Sequence, residues 1–361
     1  MVLPIDRSRL RHERLQALAH RGADLVGTSH RGKAVQSLIG RVQSGLRELF
    51  DLPPGYQVVL GNGGTSAFRD AAAFGLIRER SLHLTYGDSS ARFARIAQGA
   101  PFLAPPVVIE AGRGRAPEPI ADPTVDVIAW AHQETSAGIE AAVYRPPAST
   151  DDQLVVIDAG SAAGGLPVRI TDTDVYHFSA RNCFDSDGGL WLALLSPAAL
   201  ERIARISAGD RWIPAFLSLA KAVKRARWQR TGNTPPVVTL FLLAEQIDWM
   251  LGLGGLAACV ARARDSASRI YGWAERSPFA RPLVGNPAYR SPVVAAIELA
   301  GSVDAGAVAS TLRANGIVDR DPHPGAGRNQ LRISTFPTVE PEDISALTAG
   351  IDRAVERLGP G

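Results

Sequence analysis

The sequence predicts an α/β protein with a large domain built on a mostly parallel sheet and a smaller C-terminal α+β domain. Two observations support this prediction. Up to about residue 232, short apolar runs bounded by turn residues alternate with helical patterns, which is typical of a parallel sheet covered by helices on both faces. From the NTPP segment at 233–236, two long helices precede mixed strands and helices. We therefore divide the chain into domains 1–235 and 236–361.

The elements of the large domain follow from runs of apolar and β-branched residues. The predicted strands span 57–60, 81–85, 125–130, 154–157, 175–178 and 189–194. A tight turn at 62–65 leads from the first strand into a predicted helix at 66–80. The small domain is predicted to contain an amphipathic connecting helix at 237–251, helices at 256–275, 305–315 and 341–358, and strands at 293–299 and 330–334.

The composition indicates an ordinary water-soluble protein. The chain has 361 residues, of which 45% are hydrophobic and 21% charged, with a net charge of +3. It has no apolar run of about 18 residues, so we expect no membrane span. The charged N-terminus is unlike a secretory signal, and a cytoplasmic location is expected. Cys183 and Cys259 suggest neither a disulfide framework nor a metal site.

One basic stretch, at 221–230, raises the question of nucleic acid. A solvated or interface helix face explains it better, so no nucleic-acid partner is expected. The mild positive charge suits small anionic ligands at least as well.

Several residues stand where ligands bind in open α/β sheets, beyond the carboxyl ends of strands. Gly64 and Thr65 open a helix after a strand, where backbone N–H groups and the helix dipole suit a phosphate. Asp158 ends an apolar strand and is either a helix cap or a ligand anchor. His30 and Arg31 lie in a polar loop that could contact an anion, although a lone loop histidine is more often structural.

Arg332 lies inside a predicted strand of the small domain. Such an arginine is usually a surface residue; its other use is as a bidentate clamp for a carboxylate.

Read together, these segments resemble the phosphoserine aminotransferase family, which are class-V, fold-type-I pyridoxal-phosphate enzymes. The motifs that carry the resemblance are GTSHRG at 27–32, LGNGGTSAF at 60–68, SLHLTYG at 81–87, AWAHQETSAG at 129–138, VIDA at 156–159, DSDGGLWLA at 185–193, GNTPP at 232–236 and RNQLR at 328–332. They cover nearly the whole chain. The resemblance implies the fold of that family, a large domain and a small C-terminal domain.

The resemblance also implies roles for the matching residues, with pyridoxal phosphate or pyridoxamine phosphate as cofactor. The implied roles are the cofactor phosphate for Gly64 and Thr65, the ring hydroxyl region for Thr135, the pyridine nitrogen for Asp158, the neighbouring subunit's cofactor phosphate for Asn233 and Thr234, the substrate carboxylate for Arg332, and the substrate phosphate or side-chain carboxylate for His30 and Arg31. A homodimer is therefore expected.

The pattern departs from the family at its central residue. The spacing from the strand at 176–178 to the SDGG motif at 186–189 is intact, and Asn182 falls where the Schiff-base lysine belongs. An asparagine amide cannot form a Schiff base and does not act as a base. The chain has only three lysines, Lys33, Lys221 and Lys224, and none stands at this position.

Further departures lie around the same site. Ser89 stands where the aromatic residue that stacks on the cofactor ring is expected, and Arg181 replaces the glutamine beside the lysine. The family's Gly-Ser-Gly-Pro segment has no counterpart before Arg9. Coordinated departures favour natural divergence over a single engineered Lys→Asn change.

We therefore expect a divergent member that binds pyridoxal phosphate, pyridoxamine phosphate or another anionic ligand noncovalently and no longer performs ordinary transamination. His132 and His177 are then the nearby candidates for proton transfer, and His177 is more simply a strand histidine. Two alternatives stay open. The chain could be a noncatalytic subunit that completes an active paralogue's site in a heterodimer, or a phosphoserine aminotransferase with a displaced base.

Overall fold

The protein is represented by a computed structural model that describes residues 9–317 and 329–358. The helices are α1 (Arg9–Ala17), α2 (Lys33–Leu49), α3 (Gly64–Gly75), α4 (Asp88–Gly99), α5 (Pro197–Ala208), α6 (Leu219–Ala226), α7 (Val237–Leu253), α8 (Gly255–Arg276), α9 (Ala305–Ala314) and α10 (Pro341–Leu358). The strands are β1 (Gln57–Asn62), β2 (Ser81–Thr85), β3 (Val107–Glu110), β4 (Val127–Ala131), β5 (Gln133–Glu134), β6 (Ile139–Glu140), β7 (Leu154–Asp158), β8 (Val175–Ser179), β9 (Leu190–Leu195), β10 (Ala280–Pro282), β11 (Val294–Leu299) and β12 (Gln330–Ser334).

The large domain is organised around a seven-stranded sheet in the order β1-β9-β8-β7-β4-β2-β3. Neighbouring strands from β3 to β8 are parallel, and β9 runs antiparallel to both β8 and β1. The central strands are buried along their whole length because helices cover both faces. The carboxyl ends of β1, β2, β4, β7 and β8 consequently meet at one edge of the sheet.

Two apolar layers hold the helices to this sheet. Alternate side chains of a strand point to opposite faces, so Val59 and Leu60 belong to different layers. Helices α3, α4, α5 and α6 cover one face, while α2 and α7 cover the other. Burial of this apolar area is the main stabilising contribution to the fold.

The small domain has its own three-stranded antiparallel sheet, β10-β11-β12, packed against α8, α9 and α10. Helix α7 packs on α2, and its buried Leu240, Leu243 and Ile247 join the apolar layer of the large sheet. The connecting helix at the start of the predicted 236–361 domain therefore lies on the large domain.

Most predicted strands match the structure to within two residues, but two helices differ. The predicted helix at 66–80 ends at Gly75, because the N–H groups of Arg78, Glu79 and Arg80 bind the Asp126 carboxylate instead of continuing the helix. The predicted amphipathic helix at 237–251 is buried at nine of the twelve positions from 239 to 250, which is more than one stripe.

Within the described residues, no single helix is long and apolar enough to cross a membrane; α7 and α8 meet the criterion only as a pair bent by 87°.

Candidate active site

The predicted site residues converge on the short segment that follows β7. The N–H of Gly160 donates to Asp158 Oδ1 at 3.0 Å, and its carbonyl accepts from Asn182 Nδ2 at 2.7 Å. A Cβ on Gly160 would lie 3.5 Å from Thr65 Cγ2 and 3.2 Å from Asp158 Oδ1. Gly160 therefore brings Thr65, Asp158 and Asn182 together, although they are far apart in sequence.

Thr135 joins the same cluster through Ser161. The Thr135 hydroxyl lies 2.9 Å from Ser161 Oγ and donates to Gln133 Oε1 at 3.0 Å. Ser161 Oγ also donates to Gln133 Oε1 at 2.6 Å. These bonds connect the end of β4 to the end of β7, so Thr135 lies beside the Gly160 segment.

The start of α3 forms the end of the site that suits an anion. Gly63 and Gly64 have φ of +103° and +68°, a conformation that favours glycine and allows the sharp turn from β1 into the helix. A Cβ at Gly64 would meet no atom within 4 Å, so the backbone here is open to a ligand. The first N–H groups of a helix have no partner within it, and its dipole favours negative charge there. Gly64 and Thr65 therefore lie where a phosphate could bind.

Ser89 lies at the start of α4, where the Glu134 carboxylate binds the first N–H groups of the helix. The Glu134 carboxylate accepts from Ser89 N at 3.1 Å and from Ser90 N at 3.1 Å. A Cβ on Gly87 would lie 2.1 Å from Glu134 Cγ, so only glycine permits this approach. Because Glu134 immediately precedes Thr135, this contact places the half-buried Ser89 next to the Thr135 side of the site.

Asp158 is not a free acceptor, because Arg69 of α3 binds it. Arg69 Nη2 and Nε contact Asp158 Oδ2 at 2.5 and 3.0 Å. Both side chains are almost completely buried, with 5% of Arg69 and 7% of Asp158 exposed. Burial acts to raise the pKa of Asp158, but the charge and hydrogen bonds of Arg69, with smaller contributions from His177 and the Gly160 N–H, lower the pKa below its ordinary value.

The two candidate proton-transfer histidines lie inside the protein. His177 pairs with Asp158 in register, stacks on Phe68 at 4.4 Å and is fully buried, with no hydrogen bond to either ring nitrogen within the described structure. Burial lowers its pKa to about 4. His132 is also buried, with Nδ1 3.1 Å from the Tyr176 hydroxyl, and burial lowers its pKa to about 3. Both imidazoles are therefore neutral near pH 7.

Asn182 follows β8 in a left-handed conformation, with φ of +58°. Asparagine tolerates this conformation better than most residues with a Cβ. The neighbouring Arg181 is exposed, and its Cδ lies 3.9 Å from the position that a Cβ of Gly188 would take. The turn that contains Asn182 is linked to α1 by an ion pair, in which Arg14 binds Asp185 at 2.5 Å.

The substrate-side candidates lie around the rim. Arg332 in β12 is half-buried, which lowers its pKa, while the Asp88 carboxylate at the start of α4 acts in the opposite direction. Arg332 is therefore within electrostatic reach of Asp88, the residue before Ser89. The RNQLR motif that contains it begins at Arg328, which lies outside the described residues, as does the segment before Arg9.

The loop candidates gather at the β1 side of the same edge. His30 Nδ1 lies 3.4 Å from Thr234 Oγ1, and the Thr234 carbonyl accepts from Asn62 Nδ2 at 2.6 Å. Asn233 is half-buried, whereas Arg31 and Thr234 are exposed. His30, Asn233 and Thr234 thus lie together in one chain. Contact of Asn233 and Thr234 with the cofactor phosphate of a neighbouring subunit stays a prediction.

The three lysines lie on α2 and α6, outside the turn that contains Asn182. Lys33 and Lys224 are exposed on α2 and α6. Lys221, also on α6, has its Cε 3.9 Å from the position that a Cβ of Gly232 would take.

Sequence reasoning missed Arg69 and Glu134, two charged side chains that are buried in the site together with Asp158. Glu134 lies within a motif already singled out, directly before Thr135, and could have been noticed there. Arg69 follows the GGTSAF segment on α3, where an arginine on a helix of apolar and small residues was the available signal. Its partner is 89 residues away, so the pairing itself could not be read from spacing.

Comparison with known proteins agrees with this architecture. Two curated phosphoserine aminotransferases, from Rhodococcus opacus (strain B4) and Rhodococcus jostii (strain RHA1), are each 54% identical to this chain over 352 residues, covering 98% of it and 94% of the relative. The crystal structure of a phosphoserine aminotransferase from Cytophaga hutchinsonii superposes with a TM-score of 0.86 at 21% identity, over 97% of this chain and 95% of that chain.

The solved structure shows the likeness of fold, and it confirms the expected fold-type-I architecture. The family profile of the class-V aminotransferases matches residues 5–347, nearly the whole chain. With that match and relatives at 54% identity, the chain belongs to the class-V aminotransferase family and is similar to its phosphoserine aminotransferases.

Proposed function

We propose that this chain is a phosphoserine-aminotransferase-like protein that binds pyridoxal phosphate, pyridoxamine phosphate or another small anionic ligand without a covalent bond, and that it does not perform ordinary transamination. The observation that carries the proposal is Asn182, whose amide hydrogen-bonds to the backbone at the centre of the site. A neutral amide supplies neither the nucleophile nor the base of a Schiff-base enzyme.

The site fits one end of a pyridoxal-type cofactor better than the other. The start of α3 offers open backbone at Gly64 and the side chain of Thr65, which fits a phosphate. At the opposite end, Asp158 is already bound by Arg69, and Ser89 has no ring to stack on a ligand. The described residues thus fit the phosphate of such a ligand and do not fit catalysis through a covalently held ring.

Three exposed or half-exposed cations support an anionic, amino-acid-like or phosphorylated ligand. Arg332 approaches the site from β12, Arg181 lies beside Asn182, and Arg31 lies in the loop next to His30. Arginine recognises carboxylate and phosphate in bidentate fashion, and all three retain side-chain exposure to do so.

We also propose that the protein is a cytoplasmic homodimer. Large aromatic side chains on the loop before α6 and just after that helix support a protein interface, since Trp212, Phe216 and Trp228 are 77%, 55% and 67% exposed. The second candidate function, a noncatalytic subunit in a heterodimer, is favoured by the exposure of Thr234 at the sheet edge. Co-purification of a paralogue in stoichiometric amount would support that candidate over a homodimer.

Covalent trapping tests the proposal. The purified chain is incubated with pyridoxal phosphate, reduced with borohydride and analysed by peptide mass spectrometry after removal of free ligand. We expect no reduced pyridoxyl adduct above the background of exposed lysines, because all three lysines lie on α2 and α6 and none stands at position 182. A stoichiometric adduct on Lys33, Lys221 or Lys224 would contradict the proposal.

The variant Asn182→Lys is the positive control for trapping. It introduces an amine at the turn that Asn182 occupies beside the Gly160 segment and is expected to give an adduct at residue 182. Equilibrium dialysis with pyridoxamine phosphate, which cannot form a Schiff base with the protein, measures noncovalent binding by the native chain.

A further inference from the structure

The buried pair between Arg69 and Asp158 changes what the inner end of the site can bind. Both guanidinium contacts go to Asp158 Oδ2, while Oδ1 accepts from the N–H of Gly160. We infer that Arg69 is a specificity-determining residue that makes Asp158 unable to hold a protonated ring nitrogen, so the site takes a ligand whose inner edge is uncharged. The inference rests on the proposed function, because it concerns the ligand of the same site.

The first step of the argument is electrostatic. Asp158 and Arg69 together carry no net charge, and both are about nineteen-twentieths buried. A cationic nitrogen bound by Asp158 would then lie near a second buried cation, the guanidinium. Two like charges at low dielectric disfavour each other, and the one able to release its proton does so. The guanidinium is effectively always charged, so the ligand nitrogen is the group that becomes neutral.

The second step is the cost of moving Arg69 away. Separating a buried ion pair leaves an uncompensated charge in the protein, which is strongly unfavourable. A ligand that displaced Arg69 would have to supply that energy as well as its own binding energy. Arginine is also a pure donor, so a ring nitrogen that faces it must present a lone pair rather than a proton.

The other titratable groups that face Asp158 do not change this balance. They are His177, Tyr86, Tyr176 and Glu134. His177 is neutral near pH 7, since burial lowers its pKa to about 4. The Tyr86 hydroxyl donates to the Ala131 carbonyl, and Glu134 is bound by the N–H groups of α4. Among the described residues, Arg69 is the cation in direct contact with Asp158.

The test uses pyridoxamine phosphate, whose ring nitrogen can carry a proton and whose amine cannot form a Schiff base with a lysine. Ligand labelled at the ring nitrogen is bound to the full-length native chain, and the nitrogen chemical shift reports its protonation by NMR. We expect an unprotonated ring nitrogen at neutral pH. A protonated ring nitrogen in the native complex would overturn the inference and leave the proposed function standing.

Substitution of Arg69 provides the second arm. Arg69→Met frees Asp158 to hold a protonated nitrogen, so we expect affinity for pyridoxamine phosphate to rise about tenfold or more, the change that corresponds to one pKa unit. The double variant Arg69→Met/Asp158→Asn lacks the carboxylate and should lose that gain. In the double variant no buried carboxylate is left without a partner. It can therefore fold and report on binding even if Arg69→Met folds poorly.

Arg202→Met is the matched control. Arg202 and Asp126 form a pair of similar burial, 4% and 5% exposed, away from the Gly160 segment. Its loss should lower stability without changing ligand affinity. Binding by Arg69→Met but not by the native chain supports the inference, since the pair then excludes the ring. Equal affinity of both for pyridoxamine phosphate overturns it. Binding by neither also overturns the inference, because freeing Asp158 then gives no gain in affinity, while the proposed function is still decided by the covalent-trapping test.

Discussion

Asn182 donates its side-chain amide to the carbonyl oxygen of Gly160 at 2.7 Å, and Gly160 in turn donates its N–H to Asp158. The residue after β8 is thus bonded to the backbone after β7, at the carboxyl edge of the sheet. An asparagine in this place closes a hydrogen-bonded link between two strands, in a conformation that asparagine adopts readily. The position has a structural role of its own.

Replacing Asn182 by lysine should lower stability without restoring transamination. The substitution breaks the bond to Gly160 and puts a longer side chain in the left-handed region, at a cost of roughly 1–2 kcal/mol. Urea denaturation of native and variant chains measures it. Steady-state assays with phosphoserine and 2-oxoglutarate should show no significant turnover, because Ser89 and the Arg69–Asp158 pair are unchanged. Robust turnover by the variant would mean that the site is otherwise intact.

Removing the carboxylate at Glu134 should loosen the start of α4. Glu134 accepts from Ser89 N and Ser90 N and also from the Ser136 hydroxyl. We expect Glu134→Gln to cost about 1–3 kcal/mol of unfolding free energy, because buried donors lose a charged acceptor. Glu110→Gln, at an exposed carboxylate, is the control and should change stability by less than about 0.5 kcal/mol. An equal effect of both substitutions would show that the hydrogen bonds from Glu134 to the start of α4 do not stabilise the protein.

Introducing a ring at position 89 should strengthen noncovalent binding of pyridoxamine phosphate. Stacking contributes roughly 0.5–1.5 kcal/mol beyond buried area. That corresponds to an affinity gain of about two- to twelvefold for Ser89→Phe. Isothermal titration calorimetry measures the gain, and Ser89→Ala is the control that removes the hydroxyl without adding a ring. Unchanged or weaker binding by Ser89→Phe would argue that residue 89 does not face the ligand ring.

The Glu140 carboxyl should make stability depend on pH. Burial raises its pKa from 4.5 to about 7, with Arg264 acting in the opposite direction. A raised acid pKa means that the folded state holds a proton that the unfolded state has released between pH 4.5 and 7. The Glu140 contribution to unfolding free energy therefore falls as pH rises through this window.

Glu140→Gln should remove that contribution, so the variant gains stability relative to the native chain from pH 5 to pH 8, by about 1–3 kcal/mol. The buried histidines titrate equally in both proteins, and their effect cancels in the difference. A difference that is independent of pH would contradict the shifted pKa of Glu140.

Much of the fold follows from local pattern, because parallel strands buried on both faces give continuous apolar runs. The runs that became β2, β7 and β8 were predicted to within one residue. Features that depend on distant partners could not be predicted in the same way. The end of α3 at Gly75 is set by the Asp126 carboxylate, about 50 residues further along the chain.

The site shows the same division. Thr65, Thr135, Asp158 and Asn182 could be chosen because they follow strands whose carboxyl ends share an edge. The ion pair that occupies Asp158 could not be predicted, since its partner Arg69 lies on a helix that packs over the sheet. Arg69 reaches Asp158 only because α3 is seated over β7 and β8, where Phe68 stacks on His177.

The central claim is that this chain does not transaminate phosphoserine. Its most direct test is the steady-state rate of the purified native chain with phosphoserine, 2-oxoglutarate and saturating pyridoxal phosphate, beside the Rhodococcus opacus phosphoserine aminotransferase as positive control. The account predicts a rate lower than that of the control by at least about 10⁴-fold, because loss of a general acid–base group alone costs about 10²–10⁴-fold and the nucleophile is missing as well. Turnover within tenfold of the control would contradict it.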